Sequence, residues 1–408
     1  MRYNKLNNLM HKMWSYSLES GEPQQTICLL GPPGIGKTSA GRTLADQMKT
    51  TLLGDKDLQE QIFGKSLTKK DLPEPFCVEL DLSSMLPEDL NGLPFREEIE
   101  NADPQVAMKQ FVTRFAAHEW LHKLCDPTAY GVLILDDLPA AAPMMQVAAR
   151  QISLERRVHD HHISPNIFII VTGNRRQDKS AASTLPAHFR NSVMLQEVHL
   201  DIDEWAVWYG KNERRDPIVP AFLRWRIEKL SMLPNTADER GAFATPRSWA
   251  KLGSYFKVAQ ETGTLLEVSR GLVGQGPATE FCAFVKTRSQ LVDPEKVFDD
   301  PLKVLKSPAK MLDTPDKLVA MSTALGEIAA HRSKHGTAEE QAEAPEKLLR
   351  SLAHATSENR EYCGAGVSTF IANGGSMPDM VRMARTNRGD PVIGKLLKFL
   401  KSVLMAGK

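Results

Sequence analysis

Residues 26 to 38 read TICLLGPPGIGKT: an apolar run followed by Gly31, Pro32, Pro33, Gly34, Ile35, Gly36, Lys37 and Thr38. The octet satisfies GxxxxGK[ST], and the apolar run before it with a helical pattern after it (Thr38 to Met48) supplies the strand, loop and helix that this pattern requires. Glycines are needed because backbone N–H groups must turn inward and approach phosphate oxygens at torsions that side chains obstruct. Lys37 would reach the β- and γ-phosphates of a nucleotide and Thr38 would ligate Mg²⁺. The positive end of the following helix adds to the attraction.

Working outward, four more apolar runs punctuate the first half: CVELDL (77 to 82), GVLILD (131 to 136), IFIIVT (167 to 172) and VMLQEVHL (193 to 200). Helical spacing lies between them, notably over 105 to 124 and 143 to 154. Strands alternating with helices predict an α/β layer: a parallel five-stranded sheet covered on both faces. Beyond about Asp201 the strand signal fades, and Leu-, Trp- and Ala-rich helical stretches predict a helical lid and a helical C-terminal extension. The segment 294 to 308 carries three prolines and the polar stretch 331 to 347 reads as an exposed loop. Domain boundaries follow at 1–200, 201–295 and 296–408.

The run GVLILD ends in Asp136 and Asp137, the second acidic element that a phosphate-binding loop requires. As a Walker B strand, it would give Asp136 to the Mg²⁺ shell and Asp137 to orientation and deprotonation of the attacking water. Two carboxylates there could also cap the next helix. IFIIVT ends in Gly173 and Asn174, and Asn174 beside the γ-phosphate would hold the lytic water, although Asn at a strand end also serves as an ordinary turn former.

Composition sets limits on the rest. Across 408 residues, hydrophobic residues make up 42% and charged ones 25%, as in water-soluble globular proteins. Lys plus Arg (51) nearly cancels Asp plus Glu (50), so no chain-wide charge invites nucleic acid or anionic lipid. The first 16 residues lack the apolar stretch of a secretory leader, and no run approaches the length of a membrane span, which predicts a cytoplasmic protein. Cys28, Cys77, Cys125, Cys282 and Cys363 are scattered without a CxxC pair, so they read as reduced thiols.

With these residues in place, the chain resembles the AAA+ ATPases and, within them, the MoxR-type branch. The resemblance spans residues 20 to 290 and rests on GPPGIGKT, PEDLNGLP (87 to 94), the Walker B segment 131 to 158, VTGNRR, DIDEW (201 to 205) and FATPRSW (243 to 249). It implies ATP hydrolysis with Mg²⁺ in a homo-oligomer, a hexameric ring with nucleotide sites at subunit borders. The ring would remodel or activate a protein client, or a partner bearing a von Willebrand factor A domain. It also implies that Asn174 is the sensor-1 residue and Arg247 the sensor-2 arginine at the start of a lid helix. Adenine over guanine is itself an implication of the resemblance, since the loop reads phosphates.

Two departures bear on turnover. The family carries Glu after the Walker B Asp, whereas here Asp137 is one methylene shorter, which points to slow hydrolysis. Ser192 stands where an arginine finger for the neighbouring subunit falls, leaving Arg190 as the substitute candidate. These departures keep open a nucleotide-gated scaffold with little hydrolysis, and a nucleic-acid motor or loader is a further alternative.

Three other signals carry less weight. His118, Glu119 and His122 match HExxH, without an evident third zinc ligand. Val158 to His162 reads as a solvated hairpin tip. The basic, amphipathic tail from Val381 to Lys408 reads as a helix packing one face on the C-terminal region.

Overall fold

The computed structural model describes residues 1–99, 110–178, 185–233, 241–356, 362–376, 378–380 and 382. They fall into two compact units, Met1–Leu200 and Asp201–Lys408. The strands of the first unit are β1 (Ile27–Leu30), β2 (Phe76–Asp81), β3 (Leu93–Ile99), β4 (Gln110–Ala116), β5 (Gly131–Asp136), β6 (Arg157–Val158), β7 (His161–His162), β8 (Ile167–Gly173) and β9 (Met194–Glu197).

Five of these make the expected parallel sheet, in the order β2-β5-β8-β1-β9, and each of the five apolar runs falls on one of its strands. Val132 to Leu135 on β5 and Ile167 to Val171 on β8 are fully buried, as strands covered on both faces must be. Met194 and Leu195 on β9 are partly open, consistent with its edge position.

Strand alternation sorts the core into two layers. Leu133, Leu135, Ile169 and Val171 pack with Met145, Ile152 and Phe189. Val132, Ile134, Phe168 and Ile170 pack on the opposite face with Leu44 and Met48 of helix α2 (Lys37–Gly54) and with helix α1 (Tyr3–Ser20). Helix α1 forms because Leu6, Met10, Trp14 and Leu18 recur every fourth residue, and that stripe is what it buries.

Two local readings need correction. The described part of the segment expected to be helical over 105 to 124 contains β4, paired antiparallel with β3, and only Glu119–Leu124 is helical. Cross-strand pairs decide it: Arg96 lies 3.6 Å over the Phe111 ring, and Arg114 pairs with Glu97. The stretch 331 to 347 is helix on both sides of a short break, Pro315–His335 and Ala338–Ala355, because Thr337 and Glu340 form a reciprocal capping box. By contrast, β6 and β7 form the expected hairpin at 157 to 162.

Among its described residues, every regular element of the second unit is a helix. Within it, Pro315–His335 packs against both Gln275–Ser289 and Cys363–Ala372. The tail from Val381 to Lys408, except Arg382, lies outside the described residues. Among the described residues no helix is long and apolar enough to cross a membrane, and none of the five cysteines is in a disulfide.

Candidate functional site

The site begins where β1 stops. Gly31 donates its N–H to the Gly173 carbonyl at 3.3 Å, tying the loop to β8. A Cβ on Gly31 would stand 2.7 Å from Ile35 Cδ1 and 3.0 Å from the Val198 carbonyl oxygen, so a side chain here would displace the Ile35 methyl and press on the backbone at Val198. Gly34 and Gly36 sit at φ +74° and +95°, the left-handed region that side chains disfavour. Helix α2 starts immediately after Gly36 with no side chain capping its end, leaving its positive pole to serve an anion.

Lys37 is 8% exposed. Its ammonium donates to the carbonyls of Gly31 (2.8 Å) and Pro32 (2.9 Å) and to Asn174 Oδ1 (2.8 Å). These neutral oxygens help hold the cation at the loop, and a phosphate oxygen would compete with them.

Sheet register explains how distant residues reach this point. Leu30 lies beside Gly173, so the next residues, Gly31 and Asn174, emerge together; on the other side of β8, Leu135 lies beside Val171, bringing Asp136 next to Thr172. Thr38 donates to both oxygens of Asp136, at 3.2 and 3.1 Å. Thr172, fully buried, donates to Asp136 Oδ1 and stands 3.5 Å from the Asp137 N–H. Asn174 Nδ2 lies 3.4 Å from Asp137 Oδ1.

The Thr38 and Asp136 oxygens fit Mg²⁺. Ligands about 2.0–2.1 Å from an octahedral ion stand about 2.9 Å apart at neighbouring positions, close to the separation observed. Among the described residues no group of three or more His, Cys, Asp or Glu side chains could hold a metal, so Thr38 and Asp136 would leave the remaining positions to phosphate and water.

Asp137 adopts φ 54°, ψ 34°, a left-handed conformation that Asp and Asn tolerate far better than longer side chains. This gives a conformational reason for the short carboxylate at 137.

Arg190 ends the short helix Ala187–Arg190 and is exposed, and the Ser192 hydroxyl donates to the His188 carbonyl. Arg247 belongs to the second unit, exposed in the first turn of Pro246–Glu261, whose N-terminus Thr245 and Ser248 cap. In the HExxH segment, His118 precedes the helix and bonds the Glu88 carbonyl, while Glu119 pairs with Lys123. Thr172 is the residue that sequence reading missed: the only signal was a hydroxyl ending an otherwise apolar run.

No family model matches the chain. Shikimate kinase of Corynebacterium diphtheriae is 38% identical over 64 residues, 15% of this chain and 37% of that protein, so the chain spans little more than a third of that relative's length. Among solved structures, the RuvB Holliday junction branch migration motor of Thermotoga maritima aligns at TM-score 0.33 and 13% identity, over 79% of this chain and 81% of that one. A DNA replication initiation factor aligns at TM-score 0.26 and 14% identity, over 90% and 94%. TM-scores this low leave any functional reading resting on the loop, the sheet order and the five converging side chains themselves.

Proposed function

We propose that this chain binds ATP with Mg²⁺ and hydrolyses it as a MoxR-like AAA+ ATPase, coupling turnover in a ring oligomer to remodelling or activation of a protein partner. The observation that carries the reading is the meeting of Lys37, Thr38, Asp136, Asp137 and Asn174 at the C-terminal ends of three parallel strands. In this reading Lys37 exchanges its loop carbonyls for β- and γ-phosphate oxygens. Thr38 and Asp136 hold Mg²⁺, which when bound neutralises charge developing on the phosphates. Asp137 accepts a proton from the attacking water, and Asn174, already facing both Lys37 and Asp137, holds that water in line. Arg190 offers a cation to the neighbouring subunit's nucleotide, and Arg247 reports nucleotide state to the helical unit.

Asp137 in place of Glu and Ser192 in place of Arg support slow turnover, and so keep a nucleotide-gated scaffold as a second reading. Measuring ATP turnover against protein concentration, with mass determined by size exclusion, separates the two. The ring ATPase requires specific activity that rises as oligomers form and falls in Arg190→Ala without loss of ATP binding. Activity independent of assembly rejects the shared site.

A further inference from the structure

Immediately past Asn174 the chain closes on itself. Arg175 donates its backbone N–H to Asp178 Oδ2 at 2.9 Å, its Nε to the same oxygen at 3.0 Å and its Nη2 to Oδ1 at 2.8 Å, while the Asp178 N–H returns to the Arg175 carbonyl at 2.9 Å. Asp178 is 2% exposed and the Arg175 side chain 19%. A planar fork matched to a carboxylate and shielded from water leaves little freedom for this turn. Arg175 also reaches Glu197 at the end of β9, but at 3.4 Å and with Glu197 more than half exposed, so this second arm holds weakly.

We infer that Arg175 and Asp178 form a positioning clamp that aims the Asn174 carboxamide at Lys37 and Asp137. The inference deepens the ATPase reading and rests on it for its kinetic consequence only. Arg175 and Asp178 touch no reacting atom: they act through Asn174, whose two contacts, 2.8 Å to Lys37 Nζ and 3.4 Å to Asp137 Oδ1, depend on where the backbone leaves β8. Small misplacement of a water-holding group costs about 10²-fold in rate while leaving phosphate binding to the loop intact.

The test compares Asp178→Asn, Arg175→Gln and Glu197→Gln in the full chain. Asp178→Asn keeps an acceptor at the buried position, and Arg175→Gln provides a second route should one variant fold poorly. Both are expected to lower kcat by about 10- to 100-fold with KM for ATP changed less than about twofold, and Glu197→Gln to change neither. In an Asn174→Ala background, Asp178→Asn is expected to have no further effect, because its only route to the chemistry has been removed. An equal loss in both backgrounds overturns the clamp.

A second readout does not depend on turnover. In protein labelled with ¹⁵N-asparagine, the Asn174 side-chain amide resonance, assigned through Asn174→Ala, shifts in Asp178→Asn and Arg175→Gln. A resonance that stays in place in folded variants overturns the clamp whether or not the chain hydrolyses ATP. Shifted resonances without wild-type turnover would retain the clamp and remove the ATPase reading.

Discussion

Replacing Thr172 by Val tests whether the Asp136 carboxylate is held in place by the neighbouring strand. The substitution keeps volume and β-branching in a fully buried strand position and removes one hydroxyl. That hydroxyl donates to Asp136 Oδ1, and it is 3.5 Å from the Asp137 N–H, too long for a strong bond. The loss therefore falls on Asp136. A hydrogen bond to a charged group contributes about 1.5–3 kcal/mol, and losing an outer-shell partner of a metal ligand costs about 10- to 100-fold in metal affinity. The two figures agree, since tenfold corresponds to about 1.4 kcal/mol. In a titration of ATP turnover with free Mg²⁺, the half-saturating concentration in Thr172→Val should therefore rise about 10- to 100-fold, with nucleotide binding in the presence of chelator unchanged. Thr172→Ser should return it to the wild-type value. A folded Thr172→Val protein with the wild-type Mg²⁺ midpoint would show that Thr38 and the backbone alone orient Asp136, and the account of the metal site would be wrong.

Asp137→Asn is conformationally silent at φ 54°, so it should retain ATP binding and lose hydrolysis; hydrolysis at the wild-type rate would exclude Asp137 as the base. Gly173→Ala should destabilise the first unit by about 1–3 kcal/mol or more in denaturant unfolding, since the new Cβ would lie 2.2 Å from Pro139 Cδ in the turn that follows Asp137; an unchanged midpoint would refute that packing. Burial pushes the Cys28 thiol from the ordinary 9.0 up to about 12. Its contribution to stability is full below the unfolded value and is lost as pH rises through the folded one. Alkylation at pH 8 should accordingly modify exposed Cys77 in the native protein and reach Cys28 and Cys363 only after unfolding, as peptide mapping would show.

The phosphate-binding loop and the five-stranded sheet were legible because their signals are local. GPPGIGKT specifies a turn whose glycines are sterically favoured, and five short apolar runs carry their own burial. What stayed hidden depends on pairing between distant segments. The Thr172 hydroxyl matters only because register sets β8 beside β5, and Arg175 gains a role only once the chain turns back to bury Asp178. Strand β4 was read as helix because Phe111, Val112, Phe115 and Ala116 lie at helical spacing, and the strand it pairs with lies upstream of the segment so read. Helix α1 carried a legible stripe, Leu6, Met10, Trp14 and Leu18, which a reading confined to leader signals passed over. At 331 to 347, the cap signal of Thr337 and Glu340 was outweighed by polar composition.

The central claim is that Lys37 belongs to a working nucleotide site. Steady-state ATP turnover with Mg²⁺, measured alongside binding of a fluorescent ATP analogue for wild type and Lys37→Ala, tests it most directly. The account predicts binding and slow turnover in wild type, with turnover abolished and binding weakened in a folded Lys37→Ala protein. Equal turnover in the two, or a wild type that neither binds nor hydrolyses ATP in any assembly state, would contradict it.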